Sequence, residues 1–272
     1  MLGYVDCIHI HSETEPLQQS QTDFNSKYPL SLAPRGETYD KYQIKGGNIT
    51  ALDPYRFMED VESNQTKSWI AAEANLTKKF FSNCDQRDAI KQSLTENMNY
   101  QKISLPVKRG DHYYFSFNSG LEDTGKTFKI NKPGDYKINP KNPTEGASVF
   151  FDPKTMLSAD GKDSKGDSSW TDDYKMVAMT IQHAGSDWGT IKVMDADTRK
   201  FHEKDVIQWT KHTGITWTQD SKGFFYQAYD APKSSKDGIQ DGHAGQETDK
   251  LENQKVYYHY LGTDQKDDVL IF

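Results

Sequence analysis

From about residue 101 onward, hydrophobic and polar positions alternate along the chain with a period close to two. The hydrophobic runs are short, rich in aromatic and β-branched residues, and separated by Gly, Pro, Asn and Asp, which is typical of β-strands joined by turns. Examples are "HYYFSFNSG", "MVAMTI", "TIKVMD", "GFFYQAY" and "VYYHYLG". The pattern predicts an all-β region. Two charged stretches, "SADGKDSKGDSS" and "APKSSKDGIQDGHAGQETDKLENQ", are predicted to be exposed loops.

The preceding segment has the 3.6-residue period of amphipathic helices. Asp53 can cap a short helix with Pro54 at its first position, and Ser63 and Asp85 can begin two longer ones. The apolar residues of the longer helices are Trp69, Leu76 and Phe80, followed by Ile90, Leu94 and Met98. Residues 28–98 are therefore predicted to be a helical segment. Residues 1–27 are polar and aperiodic, and are predicted to form a disordered arm.

The β region contains an internal repeat. "WTDDYKMVAM" begins at Trp170 and "WTQDSKGFFY" begins at Trp217, 47 residues later, and each copy continues as strand, loop and strand. Counting back, "KISLPVKRG", "HYYFSFNSG", "TFKIN" and "ASVFFD" form an earlier copy. Four strands per unit, at a period of roughly 40–50 residues, are the mark of a β-propeller blade. Residues 99–272 are therefore predicted to be about three four-stranded blades of an incomplete propeller.

Composition narrows the classes of partner. The net charge of −7 argues against nucleic acid, because binding a phosphate backbone requires clustered Lys and Arg. No run of about 18 apolar residues suggests a membrane span, and the first residues lack the basic and apolar regions of a signal peptide. A cytoplasmic protein is therefore expected. The two cysteines, Cys7 and Cys84, could form one disulfide at most.

Several blocks carry a specific resemblance. "DPYRFMEDVES", "AGSDWGTIKVMD", "WTQDSKGFFYQAYD" and "YYHYLGTDQKDDVL" follow one another as in the N-terminal half of prolyl oligopeptidases, so the chain resembles that family from about Tyr28 to Phe272. Departures are modest, and Phe57 stands where family members usually carry Trp. The resemblance implies a serine-type endopeptidase that cuts short peptides after proline. It also implies an α/β-hydrolase domain capped by a seven-bladed propeller that gates substrate access, with the N-terminal helices packed on the hydrolase domain.

The residues of a catalytic centre are not evident in this stretch. A nucleophile elbow needs G-x-S-x-G on a strand-to-helix turn, and the nearest string, "GDSSW" at Gly166, lacks the second glycine. Eight histidines and many aspartates are present, but without an activated serine they have no triad to complete. We therefore expect no catalytic residue among these 272 and no peptide hydrolysis by this chain alone.

Two motifs suggest cofactors, and both are weak. "GLEDTGKT", Gly120 to Thr127, has the spacing of a phosphate-binding P-loop, but Glu122 and Asp123 would bring negative charge to the anion, and turns follow where a helix is needed. A solvated hairpin loop is the favoured interpretation. "CIHIH" could place Cys7, His9 and His11 on one face of a strand, but a fourth ligand is not evident. No cofactor and no metal are predicted.

Trp170 is the candidate for substrate contact. By the resemblance, it matches an aromatic position that looks into the central cavity and lines the subsite for residues preceding proline. The alternative is that Trp170 and its repeat equivalent Trp217 both pack between blades as core. Trp188, in the "GSDW" block, is predicted to be structural, with Ser186 and Asp187 bonded to the local backbone.

Two hypotheses about the whole chain stay open. In the first, it is the N-terminal part of a serine peptidase whose partner is the missing catalytic domain and whose ligands are short proline-containing peptides. In the second, it is a short binding or regulatory module that pairs with a full-length relative. Three blades leave two uncovered faces, and exposed β surface invites either kind of partner.

Overall fold

The computed structural model describes residues 33–132, 134, 137, 139–158, 160–231 and 251–272. The chain forms two compact units that divide between Asn97 and Met98. The predicted N-terminal arm, the "CIHIH" motif and most of the second predicted loop lie outside the described residues. Within the described ranges, no helix is both long and apolar enough to cross a membrane.

The first unit contains a hairpin that the sequence pattern did not predict. Strands β1 (Thr38–Ile44) and β2 (Gly47–Asp53) pair in antiparallel register, with Tyr42 opposite Ile49. Lys45 and Gly46 form the turn, and Gly46 and Gly47, the first residue of β2, have φ of +113° and +145°, values that favour glycine. Polar residues alternate irregularly on both strands, and most positions of the hairpin are exposed. For this reason, the two-residue period was not recognisable.

The predicted helices of this unit are present, with shifted starts. A 3₁₀ helix (Arg56–Glu59) follows Asp53, whose Oδ1 accepts a 3.0 Å hydrogen bond from the Tyr55 N–H. Helix α1 (Asn64–Ser82) is capped by Ser63 as predicted, and helix α2 (Arg87–Met98) begins two residues after Asp85. The apolar face predicted for α1 is confirmed, because its three residues are less exposed than most of the helix. They are Trp69, Leu76 and Phe80.

The second unit contains three antiparallel sheets, in agreement with the predicted blades. The first consists of β3 (Lys102–Ile103), β4 (Val107–Arg109), β5 (His112–Asn118), β6 (Lys126–Ile130) and β7 (Ala147–Phe151). The second consists of β8 (Asp163–Trp170), β9 (Met176–His183), β10 (Gly189–Asp195) and β11 (Phe201–Thr210). The third consists of β12 (Ile215–Trp217), β13 (Gly223–Ala228), β14 (Lys255–Tyr260) and β15 (Val269–Leu270). A short helix, α3 (Pro153–Met156), and a 3₁₀ turn (Gln265–Asp267) complete the unit.

The first sheet has five strands but is only four strands wide, because two short strands lie end to end. Strands β3 and β4 both pair with β5 and act as one interrupted strand. The interruption contains Pro106, which has no N–H to donate to the ladder. Beside it, the Ser104 side-chain oxygen accepts a 2.8 Å hydrogen bond from the Ser116 N–H.

Strand β8 corrects the sequence prediction, which assigned this stretch to an exposed loop. Its residues are polar and small, so no hydrophobic alternation marks them as a strand. The backbone nevertheless pairs with β9 from Asp163, opposite His183, to Trp170, opposite Val177. A bulge between Lys165 and Ser168 breaks the register, which further obscures the period.

The core lies between successive sheets, as a propeller requires. On β9, Val177, Met179 and Ile181 face the first sheet, whereas Ala178 packs with the cluster shared with the third sheet. Both faces of β9 are therefore buried, which explains why "MVAMTI" is almost continuously apolar. The first interface adds Tyr114, Phe150, Phe151, Met194 and Ala196; the second adds Ile191, Val193, Ile207, Phe224, Tyr226 and Ala228.

Candidate functional site

Trp170 ends β8 at the interface between the first and second sheets. Its ring centroid lies 5.2 Å from that of Tyr114 and 5.7 Å from that of Phe150, almost parallel to the latter. It packs at the edge of the core there and keeps part of its surface exposed. Trp170 therefore combines a packing role with a face that lines a cavity.

Trp217 occupies the equivalent place one blade later. Its Nε1 donates a 3.0 Å hydrogen bond to the Ser169 carbonyl oxygen, and its ring meets Phe224 edge-on at 5.0 Å. A side chain of the third sheet thus bonds the backbone of the second. The repeated tryptophan is an interblade contact in both copies, and this explains why the repeat is led by the same residue.

The cavity beside Trp170 has a volume of about 170 Å³ and lies between the first and second sheets. Its apolar wall includes Tyr114, Phe150 and Met179. Its polar lining consists of serine and threonine hydroxyls and two cations, Arg109 and Lys165. Within the part of the chain that the structure describes, neither aspartate nor glutamate lines it.

Lys165 is the functional candidate that the sequence did not reveal. It lies at the β8 bulge, and its Nζ donates hydrogen bonds to the Gly166 carbonyl at 3.3 Å and the Ser168 hydroxyl at 3.2 Å. Burial lowers the pKa of Lys165, and nearby Asp167 only partly opposes that shift. The residue was missed because its strand was interpreted as a loop, where a lysine is ordinary.

Trp188 is structural, as predicted. Its side chain is only 1% exposed and its ring packs edge-on against Trp209 and Tyr229. The Ser186 hydroxyl accepts a 3.1 Å hydrogen bond from the Trp188 N–H, which confirms the expected local turn. The Lys211 ammonium lies 5.6 Å from the Trp188 ring centroid, in cation–π range.

The P-loop-like string forms a hairpin loop between β5 and β6. Strand β6 begins at Lys126, where a nucleotide site would need a helix. The Lys126 ammonium lies 3.2 Å from the Asp152 carboxylate, and the Gly120 N–H donates a 2.8 Å hydrogen bond to the Asn118 side chain. These groups are therefore engaged within the protein. The favoured interpretation of the string as a hairpin loop is confirmed.

A buried polar cluster joins the second and third sheets, and we call it the interblade clasp: Asp205 and Gln208 on β11, Tyr226 on β13, His259 on β14, with Gln265 and Asp268. His259 is fully buried, and its ring nitrogens lie 2.7 Å from an Asp268 oxygen and 3.0 Å from an Asp205 oxygen. The Tyr226 hydroxyl donates a 2.6 Å hydrogen bond to the other Asp268 oxygen.

The clasp is a structural device rather than an acid–base site. Burial disfavours the charged imidazole, but hydrogen bonds to Asp205 and Asp268 outweigh that cost and raise the pKa of His259 to about 9. Burial opposes ionisation of Asp205 as well, yet hydrogen bonds from His259 and the Gly262 N–H lower its pKa. Both ring nitrogens of His259 face carboxylates, so neither can exchange a proton with a substrate.

Gln265 extends the clasp to the edge of the second sheet. Its Oε1 accepts a 2.9 Å hydrogen bond from the Gln208 N–H, and its Nε2 donates a 3.1 Å hydrogen bond to the Gln208 carbonyl. A side-chain amide thus replaces a neighbouring strand on β11. Gly262 and Gln265 both belong to the "LGTDQ" block. With His259 and Asp268 on either side of it, this block connects the third sheet to β11. Among the described residues, no group of three His, Cys, Asp or Glu is arranged to hold a metal ion.

Three four-stranded units, stacked in chain order with a core between each pair, define part of a β-propeller. Residues 35–272 match the family described as "Prolyl oligopeptidase, N-terminal beta-propeller domain". The chain therefore belongs to this family, in agreement with the resemblance found in its sequence.

Relatives support the same assignment. The chain is 35% identical to the prolyl endopeptidase of Elizabethkingia meningoseptica over 80% of its own length and 28% of the relative's. It is 30% identical to the dual function macrocyclase-peptidase POPB of Amanita bisporigera, over 89% and 33% of the two lengths. A structure of prolyl oligopeptidase B from Galerina marginata, bound to a 25mer macrocyclization substrate, superimposes with a TM-score of 0.71 at 25% identity, covering 90% of this chain and 34% of that one. The chain thus spans about a third of the length of these proteins.

Proposed function

We propose that this chain is the propeller portion of a proline-specific serine oligopeptidase, which admits short peptides to a catalytic domain formed by other sequence. The observation that carries the proposal is the match of residues 35–272 to the N-terminal propeller of that family. The serine that attacks the peptide would come from the remaining two thirds of such a protein. Its cytoplasmic location stays a prediction.

In isolation, the chain is proposed to be inactive. No G-x-S-x-G string occurs in the 272 residues, and His259, the one fully buried histidine among the described residues, is committed to two carboxylates. Purified chain should therefore give no turnover of a chromogenic Gly-Pro substrate above a buffer blank. Hydrolysis that survives repurification would refute this part of the proposal.

A chimera tests the function itself. Residues 35–272 would replace the matched segment of the Elizabethkingia meningoseptica prolyl endopeptidase, chosen for its 35% identity. A chimera that cleaves Gly-Pro substrates after proline supports the proposal, and the unaltered relative supplies the reference rate. A folded chimera that cleaves after other residues, or not at all, would count against it.

Trp170 is proposed to contact the peptide as well as to pack between blades. The supporting observation is its partial exposure at the cavity, in contrast with the fully buried Trp188. In the chimera, Trp170→Phe should raise KM for peptides with a bulky residue before proline while leaving kcat nearly unchanged. A change in thermal stability without any change in KM would leave only the packing role.

The second candidate is a short module that pairs with a full-length relative through an open blade face. Exposed apolar side chains on and after β15 favour it, since Leu270 is 57% and Phe272 90% exposed. Light scattering after mixing the chain with its relative would show a heterocomplex. Reading the coding sequence beyond Phe272 separates the two candidates, because further repeats and a G-x-S-x-G there would exclude the module.

A further inference from the structure

The cavity beside Trp170 has a charge that differs in sign from that of the chain. The protein carries a net charge of −7, yet the described residues that line this cavity include Arg109 and Lys165 and no carboxylate. Cations that line a partly enclosed cavity favour the entry of an anion, because the electrostatic attraction grows as water is excluded. The positive charge of its lining therefore makes the cavity more favourable for an anionic ligand than for a neutral one.

The environment of the Lys165 side chain also favours a bound anion. Among the described residues, its ammonium donates hydrogen bonds to two neutral oxygens, those of Gly166 and Ser168. Burying an ammonium costs free energy, and the lowered pKa of Lys165 expresses that cost, which nearby Asp167 only partly offsets. A carboxylate placed in the cavity would offset it. The Arg109 guanidinium, which stacks over the Tyr174 ring at 5.8 Å, adds a second cation with planar donors suited to carboxylates.

The size and walls of the cavity limit the ligand. A cavity of about 150 Å³ can accommodate benzene, so about 170 Å³ suffices for a carboxylate with two or three methylene groups. Trp170, Tyr114 and Phe150 supply an aromatic wall beside the cations. Cations beside an aromatic wall suit a ligand in which a carboxylate adjoins an apolar group, and peptides contain such pairs of groups.

We propose that this cavity binds the carboxylate of a peptide through Lys165 and Arg109, with Trp170 contacting the adjoining apolar side chain. The proposal rests on the proposed function in that it takes the ligand to be a peptide, and it assigns that peptide an acidic group. The carboxylate has two possible sources, a Glu side chain or the C-terminus, and the test distinguishes them.

Isothermal titration of the 272-residue chain with three peptides tests the proposal. Acetyl-Phe-Glu-amide carries a side-chain carboxylate, acetyl-Phe-Gln with a free C-terminus carries a terminal one, and acetyl-Phe-Gln-amide carries none. At least one acidic peptide should bind tenfold or more tightly than the neutral one, and the tighter of the two identifies the source. Equal affinities for all three, or no heat at millimolar concentrations, would overturn the proposal.

Two variants localise the effect. Lys165→Met keeps the length of the side chain and removes its charge, so the preference for the acidic peptide should fall at least tenfold. Lys162→Met removes an exposed charge on the same segment that pairs with Asp160 and does not line the cavity, so the preference should persist. A preference unchanged in Lys165→Met would place the carboxylate elsewhere and refute the assignment.

These peptides contain no proline and the readout is binding, so failure here would leave the proposed function intact. The chimera's cleavage after proline judges that function separately. If Lys165→Met does not fold, as judged by circular dichroism, the comparison of the three peptides on the unaltered chain still decides the proposal.

Discussion

His259 Nε2 lies 3.0 Å from an Asp205 oxygen, and this contact joins β14 of the third sheet to β11 of the second. Both side chains are fully buried. Because Asp268 approaches the other ring nitrogen at 2.7 Å, one imidazolium neutralises charge on two carboxylates. The interface between these sheets therefore depends on a buried ionic network as well as on apolar packing.

Replacing His259 should strongly destabilise the chain. His259→Leu removes the imidazolium that lies between the buried carboxylates of Asp205 and Asp268, and breaking a buried pair in this way costs about 3–5 kcal/mol. Asp205 then keeps only its contacts with His202 and the Gly262 N–H among those described. Urea unfolding followed by circular dichroism would measure the loss as a lower midpoint. Lys222→Leu is the matched control, since its ion pair with Asp220 is exposed and surface pairs contribute about 0–1 kcal/mol. Similar losses in both variants would contradict the role assigned to the clasp.

The clasp also makes stability depend on pH. The pKa of His259 is raised from 6.5 to about 9, so the folded state holds a proton that the unfolded chain releases. The resulting stabilisation, on the order of 3 kcal/mol, is complete below pH 6.5 and is lost as the pH rises through 9. The melting temperature of the unaltered chain should fall between pH 6.5 and 9.5, and most of that slope should be absent in His259→Leu. A parallel slope in both proteins would assign the effect to other groups.

Much of the second unit followed from the sequence, because its strands obey the period of two and its blades repeat. The run "MVAMTI" predicted a strand, and the structure contains β9 there and buries both of its faces. The hairpin of β1 and β2 and the polar strand β8 were not predictable, since neither buries a continuous hydrophobic face. Hydropathy alone cannot detect a strand that is held mainly by ladder hydrogen bonds.

The clasp and the cavity were harder to predict for a different reason. Asp205 and His259 are 54 residues apart, and nothing in either local segment marks them as partners. Lys165 and Arg109 come together only because one sheet stacks on the next. The "LGTDQ" block was recognised as specific to the family, but its purpose depends on β11, which lies in a different blade. Charge networks between residues that are distant in sequence can be identified only once the fold is known.

Gln265 should contribute through its two bonds to the Gln208 backbone. Gln265→Ala leaves the backbone N–H and carbonyl of Gln208 without their side-chain partner, at a cost of about 1–3 kcal/mol. Denaturant unfolding and hydrogen exchange at the Gln208 amide would report the loss. The neighbouring Lys266 provides the control, because its side chain is 76% exposed and Lys266→Ala should change stability by less than about 0.5 kcal/mol. Unchanged protection of the Gln208 amide would contradict the proposed contact.

The P-loop-like string should bind no nucleotide. Calorimetric titration with ATP and Mg²⁺ should give no saturable heat for the unaltered chain or for Lys126→Ala, because a strand occupies the place of the required helix. Lys126→Ala should instead lower stability slightly, by about 1 kcal/mol, through loss of its partly buried ion pair with Asp152. An ATP affinity that disappears in Lys126→Ala would revive nucleotide binding.

The interblade role of Trp217 can be tested with a conservative change. Trp217→Phe keeps an aromatic ring against Phe224 but removes the N–H that donates to the Ser169 carbonyl, which then lies at a blade interface without this donor. A loss of about 1–2 kcal/mol in urea unfolding is expected. Trp69→Phe is the matched control, because the buried Trp69 Nε1 has no hydrogen-bond partner among the described residues and no such bond is lost. If both substitutions cost the same, ring size rather than the interblade hydrogen bond accounts for the effect.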